Sequence, residues 1–317
     1  MTGTDINYAA ELLRSGKLVA IPTETVYGLA ANALNTDAVI KIFEAKNRPR
    51  FNPVIIHIGD ISQLSNYVIT PHPELLHLAK IFWPGPLTFL FKKKPTIHDI
   101  VTAGLPYVAV RIPDHPLTLQ LLQLINLPLA APSANPFGYI SPTEAFHVET
   151  QLGNKVDYIL DGGSCKVGIE STIIKLNSKN QIEILRQGFI TIQDLQSQTQ
   201  LEIIIPEKNN PIEAPGMMKL HYAPLKRMLI GNIEQMLLSN SGKKIGVLSF
   251  KKKFNNSQII QQEVLSTQGD LSEAARNLFA ALHRLDNGHC EIIYTELFPH
   301  DGIGIAINDK LYRGAAR

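Results

Sequence analysis

Between Leu18 and Ile58 the chain passes through an apolar strand, a hydroxyl-rich turn, a helix, a cationic turn and a second apolar strand. The first strand, Leu18 to Ile21, is broken by Pro22, which has no N–H to give to a ladder. Directly after it come Thr23, Glu24, Thr25 and Tyr27, then Gly28. The cationic turn carries Lys46, Arg48 and Arg50, is interrupted by Pro49, and closes at Asn52-Pro53 before an apolar strand from Val54 to Ile58 that carries His57. Open α/β sheets gather ligands where polar loops leave the ends of buried strands. Three cations spaced by single residues outnumber the nearby acids, so the turn suits a phosphate. A solvated Lys/Arg loop is the competing reading.

The rest of the chain keeps this α/β rhythm. Ile6, Ala9, Ala10 and Leu13 recur at helical spacing, with Gly16 as the stop. Val39, Ile42 and Phe43 share one face of a helix that delivers Lys46 at its end. Leu75, Leu78, Ala79 and Phe82 form another stripe, ended by Trp83-Pro84-Gly85-Pro86. Strands are expected at Leu87 to Phe91, Tyr107 to Ile112, Leu127 to Ala131, Tyr158 to Leu160, Ser171 to Leu176 and Ile182 to Leu185, with a helix on Leu117, Leu121, Leu124 and Ile125. Arg111 lies in so apolar a strand that it needs an anionic partner, either an internal acid or a ligand carboxylate. Pro132-Ser133-Ala134-Asn135-Pro136 fixes short polar side chains between prolines, and Ser141 lies a little beyond. Asp161-Gly162-Gly163 and Gly168-Ile169-Glu170-Ser171-Thr172 make a connection that lets backbone approach a ligand.

From about Gln196 the texture changes. Glu207 to Pro211 is linker-like, and Ala214-Pro215-Gly216 and His221-Tyr222-Ala223-Pro224 punctuate the otherwise featureless stretch up to Lys226. A second α/β run then starts, with strands at Met228 to Ile230, Ile245 to Phe250, Ile259 to Leu265 and Ile292 to Thr295. Asp270 caps a long helix, with Glu273 placed for a capping box and Leu271, Ala274, Ala275, Leu278, Leu282 and Leu285 on its buried face. This alternation predicts a small domain with a largely parallel sheet.

Composition narrows the function classes. With 317 residues, 44% hydrophobic and 18% charged, the chain is globular and long enough for two domains. A formal net charge of +2 is too small for a histone-like polyanion binder. Cys165 and Cys290 have no ligand or disulfide spacing, and no basic leader or membrane-length apolar run occurs, so a cytoplasmic, soluble protein without membrane association is expected. No G-x-x-x-x-G-K-[ST] and no G-x-G-x-x-G is present.

Pro22-Thr23-Glu24-Thr25-Val26-Tyr27-Gly28-Leu29, Lys46-Asn47-Arg48-Pro49 and Ser133-Ala134-Asn135, taken in order, resemble the motifs of the YrdC/Sua5 family. The Pro-Gly-Met and His-Tyr-Ala-Pro segment with the α/β tail is similar to the C-terminal extension of its long, Sua5-type members, so the resemblance covers essentially the whole chain. It implies an α/β fold in three parts: a YrdC-like catalytic domain over 1–205 with a twisted mixed sheet and flanking helices, a linker over the active site at 206–226, and a small Rossmann-like α/β domain at 227–317. The implied activity is a nucleotidyltransferase reaction, L-threonylcarbamoyladenylate synthesis. It joins L-threonine, bicarbonate and ATP with release of pyrophosphate. A tRNA-threonylcarbamoyl transferase complex then makes t6A at adenosine 37.

By the same resemblance the nucleotide contacts fall on Lys46, Arg48, Asn52, Tyr107, Ser133, Asn135, Ser141, Arg186, Tyr222 and Ala223, and the threonine contacts on Thr25, His57, Arg111, Ala131 and Ser171. Tyr107 departs from the pattern, standing where a small hydroxyl residue such as threonine is expected. Residue chemistry agrees. Lys46, Arg48 and Mg2+ suit the α-phosphate and the departing pyrophosphate, and Arg111 suits a carboxylate held bidentately. His57 is read as a substrate contact and not a general base. No protein metal-ligand cluster is evident, so catalysis by positioning and electrostatics is the economical expectation. One rival is an RNA-binding module of tRNA or rRNA maturation, with weak tRNA or double-stranded RNA binding extended by Lys92 to Lys94 and Lys251 to Lys253. The other is the carbamoyl-phosphate module of hydrogenase-maturation enzymes, whose zinc-finger and acylphosphatase segments are missing from this sequence.

Overall fold

A computed structural model describes residues 1–206, 214–216, 221–239 and 242–316. Its strands are β1 (Thr2–Gly3), β2 (Val19–Ile21), β3 (Gly28–Asn32), β4 (Ile55–His57), β5 (Leu87–Lys92), β6 (Tyr107–Arg111), β7 (Leu129–Ala130), β8 (Tyr158–Leu160), β9 (Thr172–Leu176), β10 (Ile182–Arg186), β11 (Ile203–Ile204), β12 (Arg227–Ile230), β13 (Ile245–Ser249), β14 (Ile259–Val264) and β15 (Ile292–Thr295). Its α-helices are α1 (Ile6–Arg14), α2 (Thr36–Lys46), α3 (Leu64–Tyr67), α4 (Pro73–Phe82), α5 (Asp99–Thr102), α6 (Pro116–Ile125), α7 (Ala145–Leu152), α8 (Ile192–Gln196), α9 (Ile233–Leu238), α10 (Leu271–Asn287) and α11 (Ile303–Gly314).

Among the described residues the strands form two sheets. The large one runs β1-β8-β2-β3-β7-β4-β6-β5-β9-β10-β11 and mixes parallel with antiparallel pairs. The small one runs β12-β15-β13-β14 and all its pairs are parallel, as the alternating helices of that half require. Register sets up the site: β4 and β6 are parallel with His57 opposite Arg111, and a bridge joins Gly28 to Ser133. His57 and Arg111 lie at one end of these strands and the Gly28–Ser133 bridge toward the other, and all four residues line one cavity.

Three strands carry no pattern that announced them. The Gly-Leu-Ala-Ala-Asn of β3 lacks β-branched residues, yet it is clamped between antiparallel β2 and β7 and buried. Its small side chains fit that tight layer, since a Cβ at Gly28 would lie 3.2 Å from the Cβ of Ala131. β1 and β11 are two-residue edge strands that tertiary pairing alone defines.

The expected capping box at the start of α10 is built differently. Asp270 does accept the Glu273 N–H at 2.8 Å, but the Glu273 carboxylate takes the Ser266 hydroxyl at 2.5 Å. The Ser266 oxygen in turn accepts the Asp270 N–H at 2.9 Å, so a serine relays the second half of the box. α10 then packs its apolar face into a core that also holds Val26, Ile140 and Ile169 from the large-sheet half and Tyr222 from the connecting segment. The two halves share apolar packing, and the small one sits directly behind the glycine-rich connection. Of the segment between them, Glu207 to Pro211 and Met217 lie outside the described residues.

Candidate active site

The hydroxyl turn is held by its own side chains. Thr23 Oγ1 accepts the N–H groups of Thr25 (3.1 Å) and Val26 (3.2 Å) and donates to the Val26 carbonyl (2.7 Å). With that proton committed, Thr25 is the donor in the 2.8 Å contact between the two threonine hydroxyls. Thr25 Oγ1 is then left to accept from Arg111 Nη1 at 3.0 Å.

Arg111 also finds an internal acid. Its Nη2 lies 2.6 Å from Glu24 Oε1, both side chains are about 4% exposed, and its Nε donates to the Gly85 carbonyl at 3.1 Å. The other Glu24 oxygen accepts the Asp114 N–H at 3.0 Å. After these contacts the guanidinium, which lines the cavity, still has N–H donors to spare. Of the two partners the sequence left open, the internal acid is present, and Glu24 is a residue of the site that motif reading did not single out. His57 stands beside Arg111. Burial first, then the arginine charge, lowers its pKa from 6.5 to about 3, so it is neutral, and its Nδ1 has no hydrogen-bond partner.

The cationic turn splits in two. Arg50 is exposed, whereas Lys46 and Arg48 are buried. Lys46, the last residue of α2, donates its ammonium to the carbonyls of Ser133 and Asn135, and its own carbonyl accepts the Phe137 N–H at 2.8 Å. The lysine-arginine turn and the serine-asparagine turn are thus laced together. Arg48 donates to the carbonyls of Asn52 (3.2 Å) and Pro53 (2.7 Å), with its guanidinium 6.0 Å from the Phe137 ring centre. Arg186 reaches in from the end of β10. It donates to the Ser171 carbonyl (3.0 Å), to Ser171 Oγ (2.9 Å) and to the Pro215 carbonyl (3.4 Å). Ser171 Oγ is also 2.7 Å from Thr88 Oγ1.

These groups line one cavity. Of the residues that motif reading assigned, Thr25, Arg48, His57, Arg111, Ala131, Ser133, Ser171 and Arg186 face it. Lys46, Asn52 and Asn135 stand behind Arg48 and Ser133, and Ser141 donates its hydroxyl to the lining Glu170 at 2.6 Å. Tyr222 and Ala223 pack just outside, with the Ala223 N–H on the Gly138 carbonyl at 2.9 Å. Tyr107 is not brought to the lining. It sits at the opposite end of β6 from Arg111, half-buried against an apolar cluster that includes Leu90, Ala109 and Ala214. Glu170 and His221 do line the cavity, and the signals for them were a carboxylate inside a glycine-rich connection and the first residue of the His-Tyr-Ala-Pro run.

Electrostatically the cavity is dominated by buried cations. Burial, then the neighbouring Arg48, pushes the Lys46 ammonium well below its ordinary range. Burial, then Arg186, pulls Arg48 down to about 9. His221 is held neutral, by burial first and then by the positive charge of Arg48 and Lys46. Asn135 Oδ1, Glu170 Oε2 and His221 Nδ1 are buried without hydrogen-bond partners. Such orphaned groups ordinarily mark where a ligand or water belongs. The cavity interior holds only about 50 Å³, too little for a nucleotide. Pro215, Gly216 and His221 of the connecting segment supply part of its wall.

Hydroxyls and an arginine, beside a second set of buried cations, define an α/β protein with a cavity whose chemistry suits anionic ligands. Comparison with known proteins narrows this class. The Sua5/YciO/YrdC model, described as "Telomere recombination", matches residues 11–188, and a model described as "Threonylcarbamoyl-AMP synthase, C-terminal domain" matches residues 179–316. The chain belongs to the Sua5/YciO/YrdC family. It is 40% identical to the threonylcarbamoyl-AMP synthase of Bacillus subtilis, over 98% of this chain and 92% of that one. It is 38% identical to that of Pyrococcus abyssi, over 98% and 94%. The crystal structure of P. abyssi Sua5 complexed with L-threonine superposes with a TM-score of 0.92 at 36% identity, covering 99% of this chain and 97% of that one.

Proposed function

We propose that this chain makes L-threonylcarbamoyladenylate and pyrophosphate from L-threonine, bicarbonate and ATP, as the activated intermediate of t6A37 formation in tRNA. The observation that carries the reading is the bond from Lys46 to the Ser133 and Asn135 carbonyls, which joins two distant motifs around the cavity that Arg111 and Thr25 line. Near-complete collinearity with threonylcarbamoyl-AMP synthases supports it.

In this reading the threonine carboxylate takes the spare N–H donors of Arg111, and Thr25, His57, Ala131 and Ser171 surround the amino acid. The triphosphate lies along Lys46, Arg48 and Arg186, with Asn52, Ser133, Asn135, Ser141, Tyr222 and Ala223 shaping or backing its pocket. Tyr107, level with Pro53 and on the sheet face of Ile55 and His57, keeps its place as a nucleotide contact by family resemblance, although it lies outside the small cavity. A carbamate oxygen on the threonine nitrogen attacks the α-phosphorus. The bond from that phosphorus to the bridging oxygen breaks, and its electron pair leaves with pyrophosphate. In this reading Arg48 from the lining, and Lys46 by turning from the Ser133 and Asn135 carbonyls, compensate the charge that grows on the leaving group. Neutral His57 orients substrate and does not remove a proton. Catalysis then rests on positioning and fixed charge.

Mg2+ would arrive with ATP. Among the described residues no trio of His, Cys, Asp or Glu side chains converges, so phosphate and water oxygens would supply most of its ligands. We assign the chain to the cytoplasm, with the product passing to a tRNA-threonylcarbamoyl transferase complex. Among the described residues no helix is long and apolar enough to cross a membrane. We divide the chain into a catalytic domain at 1–205, a linker at 206–226 and a small α/β domain at 227–317.

A pocket this small must open to admit ATP, so we assign the segment around Pro215, Gly216 and His221 the role of a gate. The test mixes the protein with ATP-Mg, bicarbonate and each amino acid and monitors pyrophosphate. Strong preference for threonine over serine and valine is expected. Salt-sensitive RNA binding without threonine-dependent pyrophosphate would replace this reading with that of an RNA-binding module.

A further inference from the structure

α11 of the small-sheet half sets a buried lysine behind the wall of the cavity. Lys310 is 2% exposed; its Nζ donates to the Gln187 carbonyl at 3.1 Å, lies 3.8 Å from Glu170 Oε2 and sits 5.4 Å from the Tyr222 ring centre. One turn on, on the same helix face, Arg313 donates to the Gly216 carbonyl at 2.7 Å. A Cβ at the adjacent Gly314 would lie 3.1 Å from the Tyr222 carbonyl. This face of α11 therefore touches the glycine-rich connection, the end of β10 and the connecting segment together.

Glu170 poses a problem for a site that takes a triphosphate. It lines the cavity as a buried carboxylate, satisfied on one oxygen by Ser141 and on the other by no hydrogen bond. Its charge is felt by Arg186, the neighbouring cation of the same wall. Left unopposed, a buried anion there would repel incoming phosphate and draw Arg186 toward itself. Lys310 is the cation that approaches it from behind, outside the lining.

We propose that Lys310 is a positioning residue for nucleotide binding: supplied by the small domain, it offsets the charge of Glu170 so that Arg186 stays directed at the triphosphate. This rests on the reading that the cavity takes ATP. It also gives the small domain a chemical part in the site, in addition to packing.

The experiment titrates ATP-Mg into the full-length protein by calorimetry, for the parent, Lys310→Met, Lys310→Gln, Glu170→Gln and Glu170→Gln/Lys310→Met. Gln keeps a donor for the Gln187 carbonyl while removing the charge, so it carries the test if the Met variant does not fold. Either Lys310 variant should weaken the Kd by about fivefold or more, while in the Glu170→Gln background Lys310→Met should change it by less than about twofold. A Kd within about twofold of the parent for Lys310→Met and Lys310→Gln, or an equal loss in both backgrounds, overturns the proposal and leaves Lys310 a packing residue. Pyrophosphate release with threonine, measured alongside, tests the proposed function separately. ATP binding with the stated coupling but no threonine-dependent turnover would sink that function and leave this inference standing.

Discussion

Gly188 lies two residues beyond Arg186, where the chain turns against the backbone that carries Ser171. Its φ is not in the left-handed region, so alanine is conformationally allowed there. Space is what forbids it. A Cβ would meet the Glu170 carbonyl oxygen, the Ser171 carbonyl carbon and the Thr172 nitrogen, each at 2.4 Å, about 1 Å short of ordinary van der Waals contact. None of these atoms is the end of a flexible side chain, so Gly188→Ala must push the two segments apart. Overpacking of this kind costs about 1–3 kcal/mol, which a lowered urea midpoint should report. The functional loss should be larger. Displacing Ser171 by about 1 Å pulls its hydroxyl from Thr88 and Arg186, and misplacement on that scale is worth on the order of 100-fold in rate. Threonine-dependent pyrophosphate release should therefore lose about 100-fold in kcat/KM while far-ultraviolet circular dichroism stays native. A Gly188→Ala protein with parental midpoint and parental kcat/KM would show that these segments do not meet as described, and the wall built from Glu170, Ser171 and Arg186 would have to be redrawn.

The same geometry predicts further outcomes. Glu24→Gln removes the anion of a buried pair and should destabilise the fold by up to about 3–5 kcal/mol while raising the threonine KM; an unchanged urea midpoint would count against the Glu24–Arg111 ion pair. His57 and His283 are both held neutral, with pKa values lowered by burial to about 3 from 6.5. The unfolded chain therefore binds protons first on acidification. The stability they contribute is complete above pH 6.5 and lost as pH falls toward 3, at about 1.4 kcal/mol per unit for each group. Urea midpoints across that range should fall, and less steeply for His283→Phe. Ending the chain after residue 205, just beyond β11, should expose Val26, Ile140 and Ile169 and either cripple turnover or release adenylate faster. Unchanged kinetics would refute the gate.

How much of this was legible depends on whether a signal was local. The buried strands around Leu18 and Ile58, the helix stripe ending at Lys46 and the parallel rhythm of the last third all write their periodicity into adjacent residues. The alanine-rich β3 does not, because its strand character comes from β2 and β7 on either side. The partner of Arg111 was undecidable for the same reason: Glu24 and Arg111 are far apart in sequence, and only the sheet brings them to 2.6 Å. Family motifs found the cationic and hydroxylic residues because each lies in a short fixed pattern. Lys310 belongs to no such pattern, and Glu170, though it lies in the glycine-rich connection, gains its meaning only when α11 is seated behind the site.

The arrangement of charge explains why the motifs are separate in sequence yet tied in space. Lys46, Arg48 and Arg186 come from the end of a helix, a turn and the end of a strand, and each is buried with its pKa pulled below the ordinary value. Their assembly costs the fold desolvation and mutual repulsion, and backbone carbonyls of Ser133, Asn135, Asn52, Pro53 and Ser171, with Glu170 beside Arg186, offset only part of that. A bound triphosphate would supply further counter-charge, so ligand binding and stability must be linked. ATP-Mg should therefore raise the unfolding midpoint strongly. Because Lys46 leaves its depressed range when a phosphate faces it, binding should take up protons from buffer at alkaline pH, a heat that calorimetry in buffers of different ionisation enthalpy would register. If binding is proton-neutral from about pH 7 to about pH 10, Lys46 is not the group that meets the phosphates, and its role is confined to fastening the serine-asparagine turn.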